Sequence, residues 1–369
     1  MKKILYGISG IGNGHANRQA PIIEHFSRTS RMMIFAYQES YRHYAEQFKK
    51  NRSVTVVPVD VPFWAGNRKG LDFLATVGLN KGKDFLEINC KAMAQAEKQI
   101  GRPDLVITDY EPVCAQYAYA MNAPLVTLDQ QSKYLIGDFP HQLGGQTYED
   151  EIVRLSMFFP KADARIACSF FQVKEKKDID KKVLIFPSTL KESITLLKRK
   201  PSKYTSILVY LSSQRAFVQS FDEVVRICDK YPDAEFHLFV KGADTISAPK
   251  NSRVRIYEHG DPRFYKILET CSGIISTAGH MLLSEAMYLG IPVYAIPLAV
   301  YEQQMNAYVI DQNGFGISHP KVEKKKVREF VKNLAAYEKN IENDQAVLLR
   351  EPGQQKIIHF LNGVLEKSK

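Results

Sequence analysis

The 369-residue chain has no Cys-x-x-Cys pair, and its five cysteines, Cys90, Cys114, Cys168, Cys228 and Cys271, are scattered and odd in number. That excludes a thiolate zinc site and a disulfide framework, and it fits a reducing, cytoplasmic compartment. P-loop and His-Glu-x-x-His motifs are missing, and the nearest approach to a nucleophile elbow, Gly7-Ile8-Ser9-Gly10-Ile11, lacks its last glycine. No apolar run approaches the roughly 20 residues of a membrane span. The glycines Gly7, Gly10, Gly12 and Gly14 do not fall at the first, third and sixth positions of a dinucleotide fingerprint. NAD binding is therefore disfavoured, although Glu39 near the end of the second strand would have suited it. The lone Asp-x-Asp, Asp178 to Asp180, sits among lysines outside any strand end. It reads as a solvated turn, and no metal requirement is expected.

What is present is an ordinary globular composition, 45% hydrophobic and 24% charged, long enough for two cored domains. The opening MKKILYGISGIGNGH has the charged start of a secretory signal, but its apolar run is short and enters a glycine loop. It reads as a first core strand. Short runs rich in Val, Ile and Leu alternate with longer helical patterns. The predicted strands are 3–9, 32–37, 54–59, 104–109, 124–128 and 165–169 in one half, and 206–211, 235–240, 253–257, 273–277 and 292–297 in the other. Continuous rather than alternating apolar content predicts parallel strands covered on both faces, hence an α/β chain of two doubly wound, Rossmann-like domains. The basic segment 191–204, with Pro201, marks the linker. The expected division is 1–195, 196–350 and a last helical segment, 351–369, packing back on the first domain. Ligands of such sheets lie at the carboxyl ends of strands, so a cleft between facing domains is the expected site.

The net charge of +10 is concentrated at Arg68 and Lys69, 174–182, 198–203 and 321–328. Solvated loops account for most such clusters; attraction to anionic lipid is the sharper reading. Nucleic acid is disfavoured, because no recognition helix, zinc finger or RNA-binding motif accompanies the charge.

The richest segment is 273–315. A buried strand passes through a small-residue turn at Gly279 into a helix, whose first amides, from His280 on, face any anion placed there. Glu285, one and a half turns further in, suits a ribose diol. After the next strand, Glu302, Gln303 and Asn306 suit sugar hydroxyls. In the first half, the glycine loop Gly12-Asn13-Gly14 presents His15 at the mouth of the cleft, unless His15 is merely a helix cap. Asp109 and Glu111 close the fourth strand; Asp109 is placed to fix the His15 tautomer, or else caps the helix starting at Pro112. Asp129, Gln130 and Gln131 end the next strand as another wall. In the second half, Ser213, Gln214 and Arg215 suit a phosphate, and Tyr257 and Glu258 a nucleobase.

Together these pieces resemble a glycosyltransferase of the GT-B fold, in the group of family 28, the lipid-II-forming N-acetylglucosaminyltransferase and the UDP-sugar transferases. Gly279 with Ser284-Glu285 is similar to the family's donor motif, and Glu302-Gln303-Gln304-Met305-Asn306-Ala307 to its Asp-Gln-x-x-Asn-Ala pattern. The resemblance implies ribose binding by Glu285, sugar binding by Glu302 and Gln303, and a base role for His15 behind Gly12 to His15. The family's Gly-Gly-Ser-Gln-Gly loop is replaced by Leu211-Ser212-Ser213-Gln214-Arg215, which removes close backbone approach to the diphosphate. The acceptor is not carried over.

The expected reaction is inverting, metal-independent transfer of a hexose or N-acetylhexosamine from a UDP-sugar, with no cofactor. The acceptor hydroxyl is expected on a glycan or glycolipid, lipid-linked or of the cell envelope. Phe63, Trp64, Arg68, Lys69, Lys81 and Lys83 suit docking on the inner face of an anionic membrane, or else a cleft-covering loop. A UDP-sugar epimerase and a noncatalytic nucleotide-sugar binder are the alternatives.

Overall fold

A computed structural model describes residues 1–10, 13–62, 66–67, 70–176, 182–211, 219–249 and 252–367. The expectations for Gly12, Ser213, Gln214, Arg215, the Asp178–Asp180 pair, Phe63, Trp64, Arg68 and Lys69 lie outside them.

The first sheet is built from β1 (Lys2–Ile8), β2 (Ser30–Ala36), β3 (Val54–Pro58), β4 (Leu105–Asp109), β5 (Leu125–Asp129), β6 (Ala164–Ser169) and β7 (Val183–Pro187). Their order is β7-β6-β5-β4-β1-β2-β3, all parallel. The second sheet contains β8 (Thr205–Tyr210), β9 (Ala234–Val240), β10 (Val254–Glu258), β11 (Gly273–Thr277), β12 (Val293–Ile296) and β13 (Gly316–Ser318), in the order β10-β9-β8-β11-β12-β13, again all parallel. The central strands β4, β5 and β11 are buried at every residue, as unbroken Val/Ile/Leu runs require when helices cover both faces. Two strands of these sheets escaped the sequence reading. β13 is a sheet edge of only three residues, too short to register as an apolar run, whereas Val183-Leu184-Ile185-Phe186 of β7 is an unbroken apolar run that the sequence reading passed over.

In each sheet the chain winds first one way and then the other. The switch points fall between β1 and β4 and between β8 and β11. Helix α1 (Asn13–Thr29) follows β1, α2 (Pro112–Ala120) follows β4, α3 (His280–Leu289) follows β11 and α4 (Tyr301–Gln312) follows β12. Both switch points therefore carry a helix N-terminus. The last helix, α5 (Gln354–Lys367), buries Ile357, Ile358, Leu361 and Leu365 in the core beneath β1 and β2 and packs on α1.

The halves share one apolar cluster: Tyr134, Phe139, Tyr148, Phe170 and Phe171 from the first meet Leu283, Tyr301 and Met305 from the second. Polar contacts reinforce it. Ser284 Oγ donates to Ser188 Oγ at 3.0 Å, Gln172 N donates to Val347 O at 2.7 Å, and the Tyr301 hydroxyl donates to the Pro140 carbonyl. α1 also packs against α3, so the two switch points face each other.

Candidate active site

The register Ile8↔Asp109 places the carboxyl ends of β1 and β4 side by side, and Ser9 N donates to Asp109 O at 3.0 Å. Two glycines make this junction fit. A Cβ on Gly7 would meet Cys114 Sγ at 2.2 Å, and one on Gly10 would meet the Tyr37 carbonyl at 2.1 Å. A Cβ on Gly14 would meet nothing, so its backbone faces open space, and Asn13 is the first residue of α1. Two residues further on, His15 Nδ1 lies 3.1 Å from Asp109 Oδ2 and 3.0 Å from the Arg18 guanidinium. Arg18 also donates to Asp109 Oδ1 at 2.7 Å, and Gln19 Nε2 donates to Oδ2 at 2.9 Å. Nδ1 cannot donate to Asp109 and accept from Arg18 at once. Arg18 already has its carboxylate oxygen, so the favoured tautomer has Nδ1–H donating to Asp109 and a lone pair on Nε2. Burial would raise the Asp109 carboxyl, but Arg18 and His15 outweigh it and hold it down at about 2. A fixed anion thus stands behind the imidazole.

Glu111 does not face the cleft. Its buried carboxylate accepts from Val113 N at 2.7 Å and Cys114 N at 2.8 Å, capping α2. The cap of that helix is Glu111 rather than Asp109, because a cap must directly precede the first turn and Asp109 still belongs to the strand. Asp129 is similarly occupied, accepting from Ser132 N at 2.7 Å and Ser132 Oγ at 2.8 Å.

Across the cleft, α3 begins at Gly279, whose own amide turns back to Thr277 O at 2.6 Å. The amides of His280, Met281 and Leu282 have no backbone acceptor among the described residues. Amides so placed at a helix start are the arrangement that suits an anion. Only the backbone of His280 contributes to it. Its ring turns inward against Phe170 and Ser188, and burial first, then Lys133 and Arg18, push its pKa well below the usual imidazole range. Glu285, buried a turn and a half further on, is pushed up to about 7 by desolvation, with Lys191 pulling the other way. Glu302 accepts from Asn306 Nδ2 at 3.3 Å, and the same amide nitrogen donates to Ala278 O at 3.0 Å. Asn306 thereby ties the turn before α3 to Glu302. Gln303 Oε1 accepts from Leu298 N at 3.0 Å and braces the loop before α4.

Tyr257 and Glu258 end β10, the outer strand, three positions from β11 and about 14 Å away at the usual strand spacing. Glu258 accepts from the amides of Gly242 and Ala243, and the Tyr257 ring is engaged by Phe239 at 4.9 Å and by Arg263 at 4.5 Å. The structure does not bring these two to the α3 turn. No group of three or more His, Cys, Asp or Glu that could hold a metal ion occurs among the described residues.

The sequence reading missed Arg18 and Gln19, although their i+3 and i+4 spacing from His15 on one helix face was available as a signal. It missed Lys133 with no such signal.

Residues 2–335 match the family described as Glycosyl transferase family 1. NDP-glycosyltransferase YjiC of Bacillus subtilis (strain 168) is 24% identical over 297 residues, 71% of this chain and 70% of that protein. The glycotransferase of kitacinnamycin superposes with a TM-score of 0.67 at 14% identity, covering 98% of both chains. MurG of Acinetobacter baumannii does so at 0.61 and 12% identity, covering 98% of this chain and 100% of that one. At those identities the superpositions establish the two-sheet GT-B fold alone. Matched over most of its length, the chain belongs to glycosyl transferase family 1, as a transferase that uses a nucleotide-sugar donor.

Proposed function

We propose that this enzyme moves a hexose or N-acetylhexosamine from a UDP-sugar to an acceptor hydroxyl, with inversion and without a metal or cofactor. The observation that carries the reading is His15, held 3.1 Å from Asp109 at one switch point, on a helix that packs against the helix whose free amides stand at the other. His15 Nε2 takes the acceptor proton as the hydroxyl oxygen attacks the anomeric carbon. The bond from that carbon to the diphosphate oxygen breaks, and the electron pair leaves with the diphosphate. The amides of His280, Met281 and Leu282 stabilise the growing charge as preorganised dipoles, while the imidazolium is stabilised by Asp109. Glu285 accepts from the ribose hydroxyls; Glu302 and Gln303 orient the sugar.

General-base catalysis contributes about 10² to 10⁴ in rate, so His15→Ala is expected to lose that much turnover and keep its affinity for UDP. Undiminished turnover in the variant rejects the base role. Product released with the donor's anomeric configuration rejects inversion, and turnover abolished by a chelator rejects metal independence.

The acceptor is proposed to be lipid-linked, reached from the inner face of an anionic cytoplasmic membrane. Support comes from the segment after β3. Helix Phe73–Asn80 carries no charged residue and leaves Leu74 87% and Val77 67% exposed, Leu86 on the next helix is 77% exposed, and Lys81 and Lys83 stand between them. Apolar side chains flanked by ammonium groups are the chemistry of interfacial docking.

A further inference from the structure

Lys133 lies in the short turn Ser132–Leu135 that follows β5. It is fully buried, and its Nζ has no hydrogen-bond acceptor among the described residues. The rings of Phe171 and Tyr134, with centroids 4.8 and 5.5 Å from Nζ, offset part of the cost of desolvating an ammonium group. They do not replace the hydrogen bonds lost from water, and an apolar side chain of the same length would fill the space without that cost. Stability of the fold therefore gives no reason for a lysine here.

Its surroundings give one. Glu302 of the second half acts on Lys133 most strongly among its charged neighbours, and Lys133 and Arg18 both act on the ring of His280, the first residue of α3. Among the described residues, eight buried side-chain polar atoms have no partner. Six of them are Lys133 Nζ, Arg18 Nε, Tyr134 Oη, His280 Nδ1, Gln130 Oε1 and Asn306 Oδ1. These six come from α1, the loop after β5, and the two helices that carry the donor groups. Two of the six are obligate donors, Lys133 Nζ and Arg18 Nε, and two are obligate acceptors, Gln130 Oε1 and Asn306 Oδ1; one of the donors is a cation with no ion-pair partner among the described residues. A group that carries both anionic oxygens and hydroxyls is the chemistry that completes such a set, the oxygens for the two donors and the hydroxyls for the two amide oxygens.

We propose that Lys133 is the first half's contribution to donor binding, its ammonium taking an anionic oxygen of the nucleotide sugar, either from the diphosphate or from a carboxylate on the sugar. The proposal rests on the nucleotide-sugar reading above. It makes the donor a bridge between the halves, held by the α3 turn on one side and by Lys133 on the other.

Burial pulls Lys133 down to about 8, against the attraction of Glu302. Its cation, and with it the affinity for an anion, is therefore lost as pH rises from 7 to 9. The groups that face it are Glu302, Arg18, Cys168, Asp129, Tyr134 and His280. Burial pushes Cys168 up to about 12 and Tyr134 well above its usual range, while His280 lies well below its own, so these three are silent in that window.

The test is calorimetric titration of wild type and Lys133→Met with UMP, UDP, dTDP, UDP-glucose and UDP-glucuronate at pH 7 and pH 9. At pH 7 the variant is expected to bind UDP or dTDP at least tenfold more weakly, with UMP little affected, if the diphosphate is the source. A tenfold loss confined to UDP-glucuronate assigns the sugar carboxylate instead. In either case wild-type affinity for that ligand falls between pH 7 and 9 and that of the variant does not. The free variant is expected to melt no lower than wild type, because it lacks an unpaired buried charge. Equal affinities for all five ligands overturn the lysine assignment and leave the nucleotide-sugar reading standing. A wild type that binds none of them overturns both. If the variant does not fold, a flat wild-type profile between pH 7 and 9 for every bound ligand overturns the proposal by itself.

Discussion

Asp109 and Glu285 are both buried carboxylates beside a helix start, and their neighbours send them in opposite directions. Arg18 and His15 overcome the burial of Asp109 and hold it at about 2, whereas Lys191 offsets the burial of Glu285 too little to keep it from rising to about 7. For Asp109 the folded value is below the unfolded one. Its contribution to stability is present above roughly pH 4 and lost as pH falls through 2. For Glu285 the folded value is above, so the stability it leaves in place at low pH is lost as pH rises from roughly 4.5 to 7. Glu285→Gln is accordingly expected to flatten part of the decline in melting temperature over that window. Burial also raises Glu111 to about 7, so that its share of the slope remains. The same variant should bind UDP about 10- to 100-fold more weakly, since a neutral amide replaces a charged acceptor for the ribose. Thermal melts from pH 4.5 to 8 and UDP titration check both; an unchanged slope together with unchanged affinity would remove Glu285 from the donor site. His15, Asp109 and Glu285 were legible because each follows a strand-end or small-residue turn. Arg18 was missed, because its i+3 spacing places it on the face of His15 but does not show that a carboxylate from another strand meets it there.

At the scale of elements, the central strands were legible within a residue or two because they are buried on both faces, and burial writes itself into sequence as unbroken apolar runs. Edge position did not decide legibility, since β3 and β10 are edges and were read: β13 is too short at three residues, and β7 was missed although Val183 to Phe186 is an unbroken apolar run. The closing helix α5 depends on a contact no local pattern reveals. Gly353 N donates to Ser188 O at 2.9 Å, and a Cβ at this position would lie 1.9 Å from the Pro187 carbonyl oxygen at the end of β7. Both partners are backbone, so neither yields easily. Gly353→Ala is expected to cost about 1–3 kcal/mol of overpacking and to loosen the seating of α5 on α1. A drop in melting temperature with faster amide exchange confined to 354–367 checks this. Unchanged exchange in that helix would show that the backbone absorbs the methyl group elsewhere.

For the whole molecule, the overall charge and the apolar helix Phe73–Asn80 after β3 matter together. Replacing Leu74 and Val77 by Ser removes the two most exposed of the described apolar side chains of Phe73–Asn80 without touching the core. The variant is expected to lose most co-sedimentation with vesicles containing anionic lipid while retaining its UDP affinity. Equal sedimentation of wild type with neutral and anionic vesicles would reject the electrostatic part of the docking. The residues in order were enough to determine two parallel sheets, their helix-covered faces and the turn before Glu285, because backbone preference and burial act over neighbouring positions. Only the tertiary structure decided that Arg18 and Asp109, 91 positions apart, would meet behind His15. It alone left Lys133 buried, without an acceptor among the described residues, between two halves of the chain. Those contacts follow from strands laid side by side at the two switch points, and adjacency in space across a crossover leaves no mark on adjacency along the chain.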